Sequence, residues 1–155
     1  LRSPLVIAAT TIIFGLALGW SDRIGSRKRD EHDIGWKDAL LIGAAQVLAL
    51  IPGTSRSGIT ITAGLLLGLT RTAAARFSFL LSIPAILLPG SLLGVELLQS
   101  PDPVHWRSFF LGMVLSAIFA YLCIRLFLAW IQKMDMTIFV VYRLVLGVFL
   151  LVVFL

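Results

Sequence analysis

The sequence predicts an all-α integral membrane protein: a polytopic helical bundle with one re-entrant helix-loop-helix hairpin. Three observations predict it. Of the 155 residues, 59% are hydrophobic and 14% charged, and the mean hydropathy is +0.99, whereas soluble domains carry about 25% charged residues. The apolar residues fall into runs long enough to cross a bilayer, which takes about 20 residues in a helix. Between two half-length apolar runs, 39–51 and 59–69, lies the polar break Pro52-Gly53-Thr54-Ser55-Arg56-Ser57-Gly58.

Taken in order, the first span covers about 4–20 and ends at Trp20, whose indole suits the headgroup region. Residues 21–37 read as a connecting loop in which Arg23, Arg27, Lys28, Arg29 and Lys37 mix with Asp22, Asp30, Glu31 and Asp33. Lys and Arg mark the cytoplasmic side, so loop 21–37 is expected there. That placement also explains the net charge of +5 without a nucleic-acid partner. The chain starts at Leu1 and shows no cleavable leader, so a fragment is expected. A single cysteine, Cys123, allows neither an intrachain disulfide nor a cysteine metal site.

The hairpin is expected at about 38–69. Within hydrocarbon a Pro-Gly break is tolerated only where protein buries it or a wet cavity reaches it. A hairpin that enters and leaves by one face meets that condition. One long kinked helix is the competing reading, but Gly-Thr-Ser-Arg-Ser-Gly is poor in helix formers. A polar turn at 70–72 follows, with Arg71 and Arg76 on the same face as the basic loop. The second span, 73–98, is expected to kink at Pro84 and at Pro89-Gly90. Loop 99–105, with Pro101, Asp102 and Pro103, then lies outside, and spans 107–131 and 137–155 are joined inside by 132–136 with Lys133. All of 1–155 forms one membrane domain.

An arginine between half-length runs sits near mid-depth, where a cation is costly unless it meets protein, water or an anion. Small residues let backbone N–H groups converge on an anion, and a helix starting at Ser57 or Gly58 aims its positive end at the same place. The Arg56 guanidinium matches phosphate oxygens two at a time, with Thr54, Ser55 and Ser57 as hydroxyl donors. Serine as a nucleophile needs a base, and none lies nearby in sequence. The lysine of a nucleotide-binding P-loop is also missing. The plainer reading is that Arg56 satisfies helix-end carbonyls and the serines cap helices.

The stretch from Gln46 through Pro52-Gly53-Thr54-Ser55-Arg56-Ser57-Gly58, then Thr60, Ala75-Arg76-Phe77-Ser78-Phe79-Leu80 and Tyr142-Arg143, resembles the second half of the undecaprenyl-diphosphatase family of the bacitracin-resistance type. The likeness covers nearly the whole chain. It implies one half of an inverted-repeat fold in the bacterial inner membrane, and hydrolysis of C55 isoprenyl diphosphate to the monophosphate for recycling of the cell-wall lipid carrier. By the same resemblance Arg56 and Ser55 are the catalytic candidates. Gly53, Thr54, Ser55, Arg56, Ser57, Gly58 and Thr60 hold substrate phosphate, with helix capping an equal reading for Thr60, and Gln46 either stands behind them or hydrogen-bonds a neighbouring helix. The family's other motif, a glutamate-rich segment leading to Ser-Ser-Thr-Gly-His, is absent here. A divalent cation, Mg²⁺ or Ca²⁺, is implied, with its ligands in the missing N-terminal repeat and none in this chain. That repeat and a second copy of the chain are the expected protein partners. A transporter or flippase for prenyl phosphate or another anion is the alternative, since broken helices meeting at mid-membrane also build transporters.

The remaining polar residues have plainer readings. Arg125 and Arg143 lie within roughly 12 Å of the basic side at 1.5 Å per residue and are expected to snorkel, with Arg143 also a candidate for an ion pair. Asp38 and Glu96 are expected to be solvated at span ends. His32 and His105 lack metal-ligand spacing. Gly43-Ala44-Ala45 and the Gly64–Gly68 spacing favour tight helix packing.

Overall fold

A computed structural model describes residues 3–99 and 105–154. Six α-helices follow one another: α1 (Pro4–Ile24), α2 (Trp36–Ala45), α3 (Arg56–Leu66), α4 (Arg71–Gln99), α5 (Trp106–Ile131) and α6 (Thr137–Phe154). Short 3-10 turns occupy Glu31–Asp33 and Gln46–Leu50, the latter prolonging α2. By length and composition α1, α4, α5 and α6 could each cross a membrane. Most of the expected 99–105 loop, including Pro101, Asp102 and Pro103, falls outside the described residues, as does Leu155.

Local chemistry sets the helix ends. Ser3 caps α1 by accepting the Val6 N–H at 3.3 Å, and Pro4 takes the first position, where its missing N–H costs nothing. At the other end α1 runs to Ile24, so the first four residues of the expected loop are helical. The cause is pairing: Ser21 donates to Leu18 O at 2.8 Å, and the buried Asp22 carboxylate takes both Arg71 Nε at 2.7 Å and Nη2 at 3.0 Å. Likewise α4 continues through Pro84 and Pro89 as one helix.

One end of the bundle is an ionic layer. Arg71, at the start of α4, grips Asp22 at the end of α1 and Asp135 in the α5–α6 turn at 2.6 Å. Arg76 pairs with Glu31. Arg29 reaches Asp38 Oδ2 at 2.6 Å, Asp33 O at 2.7 Å and Leu67 O at 3.0 Å. Asp38 is therefore paired rather than solvated, and the Arg29 hydrogen bond, helped by the Gly35 N–H, holds its carboxyl below the usual range. Because one guanidinium touches both the first turn of α2 and the end of α3, the chain between them travels out and comes back. Its return is secured by Gly68 O, which accepts the Lys28 and Arg29 N–H groups at 3.1 and 3.0 Å.

Glycine sets the helix spacing. Gly15 and Gly19 of α1 lie against Arg143 and Val140 of α6, where an added Cβ would come within 3.2 and 3.3 Å, and Gly147 of α6 receives Ile12. The tight packing expected at Gly64 is found within the chain, since a Cβ there would stand 3.0 Å from Ala74 of α4. Gly68, by contrast, is a turn residue with φ +85°, and Gly43 faces open space. Buried apolar side chains such as Ile42, Leu65, Leu69, Ile131 and Met136 gather near the ionic end.

Candidate functional site

Residues 51–55 form the break between the two returning segments. Thr54 turns back on Ile51 O through its N–H at 3.2 Å and its hydroxyl at 2.6 Å, and Gly53 adopts φ +87°. Such a φ is open to glycine at little cost. Space enforces glycine as well: a Cβ would meet Thr10 Oγ1 and stand 2.5 Å from Ile7 O. Two adjacent threonines of α1 hold the break. Thr10 donates to Pro52 O at 2.7 Å, and the Thr11 hydroxyl, shared with Ile7 O at 2.7 Å, reaches Gly53 O at 3.2 Å.

At the far side of the break Ser55 caps α3, its Oγ accepting the Gly58 N–H at 3.2 Å. Ser57 Oγ lies 3.2 Å from Ser55 Oγ. A helix start concentrates unpaired N–H groups and the positive end of the helix dipole. Among the described residues those of Arg56 and Ser57 have no protein acceptor, so this end is equipped to receive an anion.

Arg143 of α6 completes the site, contrary to the expectation that it snorkels or joins an ion pair. It is only 8% exposed, lies near no carboxylate among the described residues, and donates Nη2 to Gly53 O at 3.1 Å. Gly58 makes this approach possible: a Cβ there would stand 2.8 Å from Arg143 Nη1. No buried side-chain nitrogen among the described residues lacks a partner. The Arg143 side chain lines the adjoining space.

That space is a groove of about 500 Å³ between α1, α3 and α6, with Phe127 of α5 at its edge. Gly53, Thr54, Ser55, Ser57, Gly58 and Arg143 supply its polar waist, while Leu18, Ile61, Phe139, Leu146 and Leu150 make apolar walls on either side of it. Arg56 faces elsewhere. With Ser57, Ser78, Phe79 and Ser82 it lines a second hollow of about 350 Å³ on the α4 side of α3. Ser57 borders both. Of the expected phosphate-binding residues, then, all but Thr60 line one hollow or the other. Thr60 is 1% exposed, and its hydroxyl meets Ser78 Oγ at 2.6 Å while turning back on Arg56 O and Ser57 O, each at 3.1 Å. It braces α3 against α4 from behind the site. Gln46 is half-buried and lines neither hollow.

The donor set decides what this site can hold. Guanidinium, hydroxyl and amide N–H groups converge, no carboxylate lines either hollow, and among the described residues no three His, Cys, Asp or Glu side chains cluster. Such a set suits an anion, and the residues present do not fit a divalent cation. Thr10, Thr11 and Arg143 were missed as site residues from sequence. Paired hydroxyls within a span, and an arginine one turn from Gly147, were the signals available.

Comparison with known proteins gives the family. Residues 1–149 match the bacitracin resistance protein BacA family. The chain belongs to the BacA family. Similar proteins include undecaprenyl-diphosphatase 2 of Stutzerimonas stutzeri strain A1501, 60% identical across 99% of this chain and 58% of that protein. The undecaprenyl-diphosphatase of Chromohalobacter salexigens is 59% identical across 98% of this chain and 57% of its own length. That of Nitrosococcus oceani is 54% identical across 99% and 58%. The chain thus spans rather more than half the length of the BacA relatives it matches.

Proposed function

We propose that this chain supplies the anion-binding part of an undecaprenyl-diphosphate phosphatase of the bacterial inner membrane. The observation that carries the proposal is the start of α3, where Ser55, Arg56 and Ser57 sit between two hollows beside the buried Arg143. In the reaction, a water oxygen bonds to the terminal phosphorus of C55 isoprenyl diphosphate as the bond to the bridging oxygen breaks. That oxygen leaves with the lipid as the monophosphate, and the terminal group leaves as inorganic phosphate. Arg56 offsets the charge that develops on the phosphoryl oxygens, and Ser55 and Ser57 donate hydrogen bonds to the diphosphate. The divalent cation implied by the resemblance would be held by residues outside this chain.

The fold reading that accompanies this is a re-entrant hairpin in one half of an inverted repeat. Helix α3, with 11 residues, is about 16 Å long at 1.5 Å per residue. That is close to half of the ~30 Å hydrocarbon core, so the break rests near mid-depth when the ionic end lies at the cytoplasmic surface. A preceding repeat, or a second copy, would cover the other side of the break.

The test is phosphate release from C55 isoprenyl diphosphate in detergent, with Mg²⁺ or Ca²⁺ and with EDTA. The 155-residue chain is compared with a version extended at its N-terminus. Hydrolysis by the extended form, stopped by EDTA and sharply reduced by Arg56→Lys, is the expected result. Prenyl phosphate crossing liposomes without hydrolysis would instead establish the transporter reading.

A further inference from the structure

The two hollows that share Ser57 differ in a way that orders a two-phosphate ligand. The larger groove combines one buried guanidinium with long apolar walls, so it suits a phosphate carried on a hydrocarbon chain. The smaller hollow is short and lacks such walls; Arg56 and Ser57 line it, while Ser82 donates to Phe79 O and Ser78 pairs with Thr60, and it suits a phosphate that carries nothing. Phe79 on the small hollow meets Phe127 on the groove wall edge-on, with ring centroids 5.6 Å apart. Ser57, which lines both hollows, marks where they adjoin.

We infer that the two arginines divide the substrate between them. Arg143, with Ser55 and the first turn of α3, holds the phosphate that stays on the lipid. Arg56, on the smaller hollow, holds the terminal phosphate that departs, and Ser57 lies beside the bridging oxygen. This assignment rests on the phosphatase reading above. It makes Arg143 a substrate-binding residue for the lipid-borne phosphate, and it places the departing inorganic phosphate on the Arg56 side of α3. It also means that the two products occupy separate places and can be bound at the same time.

The experiment uses the full-length protein in detergent and two probes, C55 isoprenyl monophosphate and inorganic phosphate. Hydrolysis is inhibited with both products together across a grid of concentrations. Simultaneous occupancy is expected, so each product inhibits further in the presence of the other; mutual exclusion overturns the division into two subsites. Direct binding to two variants then tests the assignment. Arg143→Lys keeps the charge and the aliphatic stem over Gly15 but loses the fork, and should weaken binding of the monophosphate about ten-fold or more while changing binding of inorganic phosphate less than about two-fold. Arg56→Lys should do the reverse. Equal loss of both probes in both variants, or the opposite pairing, refutes the assignment. Should Arg143→Lys fail to fold, the grid on the unaltered protein still decides whether there are two subsites, and Arg56→Lys still decides which probe belongs to Arg56. Absence of any hydrolysis by the unaltered protein sinks the phosphatase reading, whereas direct binding of the two probes separately scores the subsites.

Discussion

Replacing Gly53 with alanine should dislodge the break from α1. Two costs add at this position. The left-handed φ of +87° is worth about 1–2 kcal/mol against a residue that bears a Cβ. The new methyl would stand 2.5 Å from Ile7 O and 2.8 Å from Ile7 Cα. Both are helix backbone rather than a side chain that can swing aside, so overpacking adds about 1–3 kcal/mol. A total of about 2–5 kcal/mol follows, unless the break retreats and forfeits the bonds from Thr10, Thr11 and Arg143. Gly43→Ala provides the control, because nothing lies within 4 Å of a Cβ there and alanine favours the helix by up to about 1 kcal/mol. Unfolding midpoints of both variants in the same mild detergent should separate clearly, with Gly53→Ala well below the parent and Gly43→Ala at or slightly above it. Equal midpoints for the two variants would refute the packing described for the break.

Other changes probe its surroundings. Thr60→Val keeps shape but removes the hydroxyl partner of Ser78, which is 4% exposed, and should cost about 1–3 kcal/mol; adding Ser78→Ala should recover part of it, and strict additivity in that cycle would dismiss the bond. Ser55→Ala removes the cap of α3 and should lower stability by about 1 kcal/mol, read as a lower melting temperature together with weaker phosphate binding. Asp38 is held below its usual pKa by Arg29. Its contribution is fully present above the ordinary carboxylate pKa and is lost as pH falls through the lowered one. Acid unfolding should therefore be less steep in Asp38→Asn, and an unchanged acid limb would remove Asp38 from the account.

The helical class was legible because hydropathy reports it directly: each of the four long apolar runs became one long helix. The polar break was legible too, since Pro52, Gly53 and Ser55 carry strong local preferences that tertiary packing had no reason to override. Arg143 was not. In a sequence it is one arginine in an apolar helix, and what makes it a site residue is Gly53, ninety positions away, together with the glycines at 15 and 58 that admit it. Thr60 takes the structural one of its two readings. It follows the motif closely, but one turn into α3 its side chain points toward α4, where Ser78 takes it. Loop 21–37 was shortened at its first residues because Asp22 finds Arg71 across 49 positions, a long-range pairing that composition cannot reveal.

The ionic layer also has a mechanical meaning. The salt bridges that join Asp22, Arg71 and Asp135 lie at one end of the bundle, and α4 buries no residue beyond Ser78 while α5 buries only Ile131. Helices α1 and α6 stay zipped along their glycines, whereas beyond the base α4 and α5 turn apolar side chains outward on every face. The clamp thus sets the points at which these two helices leave the bundle, and the lengths above it present apolar surface for lipid or for further helices to cover.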